Sequence, residues 1–143
     1  MEKQAAEMMG EPVLAGAVIA TAGTLSKMAV GAAVGGLAGA AIGSAMARKS
    51  GPTALPGDYK GLMYVAAGPS KVGFFAVKRG LLKNAIKAPL FEVPRGQVRG
   101  FEVGGGTLSS SITVTMADGS VYALECGRAL KGKAEKVRRE LGV

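Results

Sequence analysis

The sequence contains no histidine and no tryptophan, and it has a single cysteine, Cys126, among 143 residues. Without histidine, the commonest general base and the usual nitrogen ligand of zinc are both missing. One cysteine cannot close an internal disulfide; this fits a reducing compartment, or the face of a membrane turned toward one. Aromatic residues are scarce, with 4 Phe and 3 Tyr, which leaves few platforms on which nucleic-acid bases could stack. Acidic residues are also few: 10 Asp and Glu against 18 Lys and Arg give a formal charge of +8.

These absences exclude most catalytic constellations. Ser109 to Ser111 fall in a strand-like run with no partner base. Asp58, Glu92, Glu102, Asp118 and Glu125 are scattered, and Asp118 suits the first position of an Asp-Gly turn. Cys126 belongs to the apolar side of a strand and reads as a buried structural thiol. Gly104-Gly105-Gly106 lacks the helix start and the Gly-Lys-Ser/Thr ending of a phosphate loop. The sequence therefore predicts a non-enzymatic protein with no catalytic residues, metal site or cofactor.

What is present divides in two. Residues 1–50 carry Lys3, Lys27, Arg48 and Lys49 against Glu2, Glu7 and Glu11, a net +1; the remainder carries +7. Such a basic second half suits an acidic partner, whether anionic lipid, nucleic acid or an acidic protein. Residues 13–46 are almost wholly Ala, Gly, Val, Ile, Leu and Met, and Pro-Thr-Ala-Leu-Pro-Gly at 52–57 then breaks the pattern. The expected organisation is a helical, membrane-associating segment over 1–50, a linker over 51–60, and a β domain over 61–143.

In the apolar half Pro12 suits the first turn of a helix. The first run, Val13 to Leu25, is short for a bilayer crossing, whereas Met28 to Ala47 has the length of one. Arg48-Lys49 then favours a cytoplasmic end. Two arrangements are open, one long helix or a hairpin turning at Gly23 to Lys27, and the hairpin is preferred. Ala45-Met46-Ala47 imitates a signal-peptide cleavage site, but three glutamates in the first eleven residues argue against a signal peptide. Gly31, Gly35, Gly39 and Gly43 recur every four residues. On a helix they would form a bare face on which a second helix can pack at backbone distance. Gly31 to Gly43 resembles the glycine-zipper segments of small bacterial membrane proteins, which implies self-association.

The second half alternates short apolar runs with turn residues. Strands are predicted over Gly61 to Ala67, Val72 to Val77, Ala88 to Val93 and Gln97 to Val103. Pro89 marks the third as an edge or bulged strand. Leu108 to Met116 alternates apolar and hydroxyl residues, Asp118-Gly119 turns the chain, and Val121 to Cys126 returns. Leu130, Ala134, Val137 and Leu141 then line one face of a closing helix from about Arg128 to Leu141.

Phe74-Phe75-Ala76-Val77, Phe91-Glu92-Val93-Pro94 with Val98 beyond, Ile112 to Tyr122 and the final helix together resemble bacterial pleckstrin-homology-like and GRAM-like domains over about 80 residues. The resemblance implies an α+β fold: an antiparallel β-barrel or open sheet closed by the C-terminal amphipathic helix, after the N-terminal Ala/Gly-rich helix or helical hairpin. It also implies a location for an anionic-ligand patch, at the first hairpin turn: Lys71, with Lys78 and Arg79 closing the next strand. Lys83, Lys87, Arg95 and Arg99 extend the candidate patch.

The function expected from these features is a membrane-tethered, self-associating adaptor. Its basic domain would face the cytoplasm and bind anionic lipid or a partner protein. A pore-forming oligomer is the alternative, and a soluble nucleic-acid module using Lys131 to Arg139 is the least favoured.

Overall fold

In the computed structural model, residues 1–22, 55, 59–78, 80, 84–105 and 109–143 are described. Helix α1 (Glu2–Met9) precedes seven strands: β1 (Ala15–Thr21), β2 (Leu62–Ala67), β3 (Lys71–Lys78), β4 (Ala85–Pro94), β5 (Val98–Val103), β6 (Ser109–Met116) and β7 (Val121–Gly127). A 3-10 turn at Arg95–Gln97 joins β4 to β5, and another at Arg128–Leu130 leads into helix α2 (Lys131–Leu141). The strands form one antiparallel sheet in the order β4-β3-β2-β1-β7-β6-β5. The fold is thus α+β with an open sheet whose edges are β4 and β5.

The sheet curls. Laid flat, β4 and β7 would stand four strand spacings apart, about 19 Å. Yet the Phe91 ring on β4 lies 5.8 Å from the Tyr122 ring on β7, and Phe91 stacks on Phe74 of β3 at 4.5 Å. The main core fills the face these rings share. Ile19, Val65, Phe74, Phe101, Ile112, Val114 and Leu124 meet there beneath Ala134, Val137 and Leu141 of α2. The three helix residues fall three and four positions apart, so one stripe of α2 is apolar and the rest is charged except for Gly132. Gly142, at φ 72°, ends the helix in a left-handed cap bonded back to the Arg138 carbonyl.

Helix α1 covers the other face. Ala5 and Met9 pack on Tyr64, Ala66, Phe75, Val77 and Ile86, and the Ile86 amide donates to the Gln4 side chain at 3.3 Å. At the helix's far end Glu11 accepts the Ser70 and Lys71 amides at 3.1 and 3.0 Å and also the Ser70 hydroxyl. This anchors the chain to the β2–β3 turn.

The helix expected from Val13 to Leu25 is corrected over its first part: Ala15–Thr21 is strand β1. It pairs with β2 from Ala15↔Ala67 to Ala20↔Leu62, and with β7 at Ala20↔Glu125 and Thr21↔Leu124. A central strand has neighbours on both sides, and tertiary pairing overrides the weak strand propensity of Ala and Gly. Gly16 fits because the Tyr64 ring of β2 lies where a Cβ would stand. Residues 1–22 are consequently part of the sheet domain, and the apolar stretch is an insertion between β1 and β2. The zipper glycines Gly31, Gly35, Gly39 and Gly43 lie outside the described residues.

Candidate functional site

Strand β3 separates the predicted basic patch. Lys71 opens it and Lys78 closes it, seven residues apart, which is about 23 Å along an extended chain. Because β1 precedes it, the hairpin that carries Lys71 is the second of the sheet, and the location implied by the resemblance shifts accordingly.

At the Lys71 end the cations are neutralised. The Lys71 ammonium meets Glu92 at 3.3 Å. The Arg95 guanidinium donates to the Gly68 carbonyl at 3.2 Å and lies 3.7 Å from Glu140 of α2. Glu11 adds a third carboxylate there. The Ser70 hydroxyl above all, with the Ser70 and Lys71 amides, holds its carboxyl below the usual range. Such a cluster ties β2–β3, the β4–β5 corner and α2 together, and it offers little net charge to a ligand.

The opposite end of β3 differs. Lys78 and Lys87 are exposed there, and among the described residues neither lies within ion-pair distance of a carboxylate. Lys60, also exposed, sits just before β2 at the same end. Arg79 and Lys83 lie outside the described residues. Arg99 is exposed on β5, the other edge strand. The structure therefore brings Lys78 and Lys87 together, and it separates Lys71, Arg95 and Arg99 from them.

This Lys78 end is also where the insertion leaves and rejoins the sheet. Ala20 pairs with Leu62, and the Thr21 amide donates to the Gly61 carbonyl at 3.1 Å. The Gly61 amide in turn donates to the Thr21 hydroxyl at 3.0 Å. The departing and returning chains are thus hydrogen-bonded neighbours.

A cavity of about 480 Å³ opens beside these lysines, lined by Tyr59, Ala76, Lys78, Lys87, Ala88 and Leu90 among others. Pro89 foreshadows it in the sequence, since a proline inside a strand marks a place where the ladder is broken. Leu90 and Tyr59 carry no such sequence signal.

Cys126 is fully buried, and burial first, then Glu125, pushes its thiol up. A protonated thiol without solvent access is a poor nucleophile. Among the described residues no group of three His, Cys, Asp or Glu gathers as a metal site, and no helix is long and apolar enough to cross a membrane. No family model, curated protein or solved structure matches this chain.

Proposed function

We propose that the protein is a non-enzymatic, membrane-associated adaptor built on a pleckstrin-homology-like domain. In this reading the Lys60, Lys78 and Lys87 end faces anionic lipid head groups. The apolar insertion between β1 and β2 enters the lipid layer, and Gly31, Gly35, Gly39 and Gly43 pack copies of the chain together.

One observation carries the proposal. Both ends of the most apolar stretch of the chain emerge, side by side, at the end of the sheet where Lys78 and Lys87 are exposed and, among the described residues, have no carboxylate partner. A surface that must meet an apolar layer and an anionic one at the same level needs that pairing of features. The domain assignment is supported by two meanders, β1–β4 and β5–β7, that meet through β1 and β7, by the curl that brings Phe91 to Tyr122, and by the closing helix α2. A basic end directed at a membrane from the cytoplasmic side also agrees with Arg48-Lys49 after the apolar run.

The test is co-sedimentation of the full chain with vesicles of phosphatidylcholine alone, or of phosphatidylcholine with phosphatidylglycerol. Binding to both is expected, tighter to the anionic vesicles. The double substitution Lys78→Glu and Lys87→Glu should remove that preference, weakening anionic binding by about an order of magnitude. Recovery of the whole chain without detergent, with no binding to either vesicle, would overturn the proposal.

A further inference from the structure

Strand β4 is two residues longer than its partner β3, with 10 residues against 8. The ladder shows where the extra residues go. Phe74 pairs with Phe91 and Phe75 with Pro89, which leaves Leu90 without an opposite residue. Ala76 pairs with Ala88 and Val77 with Ile86, which leaves Lys87 unpaired in the same way. A bulge bends its strand and redirects the extra side chain. Both redirected side chains, Leu90 and Lys87, line the 480 Å³ cavity.

The pairing between them shapes its floor. Ala76 and Ala88 face each other on the side of the sheet that carries Phe74 and Phe91. Two methyl groups thus succeed a stacked pair of rings, and the face drops. Ala76 is 5% exposed, yet it belongs to neither packed core cluster. Tyr59 closes a further side, its hydroxyl already committed to the Leu62 carbonyl, so it presents its ring. The walls are therefore apolar, and the charged lining residues are the exposed Lys78 and Lys87, side chains whose long aliphatic stems suit an apolar lining while the ammonium stays in water.

We propose that this cavity holds one acyl chain of an anionic membrane lipid, with the lipid phosphate held between Lys78 and Lys87. The inference rests on the membrane-facing orientation proposed above and deepens it from a charged surface to a site for a single lipid molecule. Charge complementarity selects the head group, and the apolar pocket of drug-sized volume selects an aliphatic chain over a bare phosphate. The two bulges bring the cation and the apolar wall to one place, which a regular ladder would have put on successive, opposite faces.

The experiment uses the full chain and lysophosphatidylglycerol below its micelle concentration, with native mass spectrometry and fluorescence displacement as readouts. One lipid should bind per chain, and glycerol phosphate should not compete. Ala88→Phe fills the floor while keeping both lysines, and it should weaken lysolipid binding by at least about tenfold yet leave sedimentation with anionic vesicles intact. Leu90→Ser, at a partly exposed wall position, is the second variant and should weaken it in the same direction. Circular dichroism checks that both fold. Competition by glycerol phosphate, or undiminished lysolipid binding in both folded variants, would overturn the pocket while leaving the surface reading standing. Loss of all vesicle binding by the unmodified chain would instead remove the surface reading.

Discussion

Replacing Tyr64 by phenylalanine should make the protein more stable. Tyr64 is 4% exposed, and its hydroxyl is the one fully buried side-chain polar atom among the described residues that has no hydrogen-bond partner. Water bonded that hydroxyl in the unfolded chain, and nothing does so after folding. A buried donor left unpaired costs about 1–3 kcal/mol. Tyr64→Phe removes the oxygen and keeps the ring that packs over Gly16 and beneath α1. The gap left is smaller than a methyl group, so the cavity penalty offsets only part of the gain. A net stabilisation of about 1 kcal/mol follows, or roughly 2–4 °C in Tm for a chain of this size.

A pH series sharpens the test. Burial first, and then the charge of Glu2, pushes the Tyr64 phenol above its ordinary value of 10. A folded-state value that is raised gives stability fully present below pH 10 and lost as pH climbs past it, because the unfolded chain ionises first. Tyr64→Phe should therefore flatten the alkaline decline, leaving only the share owed to other raised groups such as Tyr122 and Cys126. Urea unfolding at pH 7 and at several values above 9 measures both effects. A midpoint lowered by the substitution at pH 7, at unchanged m, would refute the reasoning.

The other expectations concern the two helices. Glu11→Gln should lower the urea midpoint at neutral pH by weakening the link between α1 and the β2–β3 turn. The depressed Glu11 carboxyl stabilises the fold above its ordinary value of 4.5, and that contribution is lost as pH falls below it; the variant should show a shallower acid limb in midpoints measured from pH 6 downward. Val137→Ala removes two buried methyl groups between α2 and the sheet. It should cost about 2 kcal/mol in the same assay. An unchanged midpoint would mean that α2 is not seated on the core.

The second half of the fold was largely legible because its strands alternate. Ser109–Met116 buries Ser110, Ile112, Val114 and Met116 and shows its hydroxyl residues between them. That is the pattern a period of two predicts. Asp118-Gly119 closes the hairpin, with Gly119 at φ 91°, and the helix stripe at Ala134, Val137 and Leu141 was visible at its own period. Strand β1 reads as a helix in the sequence for a physical reason. Five of its seven residues are alanine, glycine or threonine, and Ala20 on the face opposite Ile19 is buried too. Burial on both faces erases the alternation, and the three alanines, the strongest intrinsic helix formers, favour a helix on propensity alone. Helix α1 lies within the stretch expected to be helical, 1–50, but ahead of the helix start expected at Pro12: eight residues are too few to be stable alone, and its place is fixed by Tyr64 and Phe75, far away in the sequence. The basic patch was legible as composition only. Which cations share an end depends on strand direction, and strand β1, read in the sequence as helix, moves the Lys71 hairpin from first to second. Pro89 signalled an irregular edge correctly, but the positions of the two bulges are set by the register against β3.

The junction at Thr21 and Gly61 has one more consequence. Since Thr21 and Gly61 are hydrogen-bonded on the sheet side and Leu55 and Tyr59 pack back on the main core, whatever is spliced between Thr21 and Leu55 hangs from a closed stem and need not itself hold the strands in place. Loop length enters only logarithmically into the closure entropy. Variation in the length or composition of the stretch ahead of Leu55 is therefore nearly neutral for the sheet, and this single position lets the tether and the domain change independently of each other.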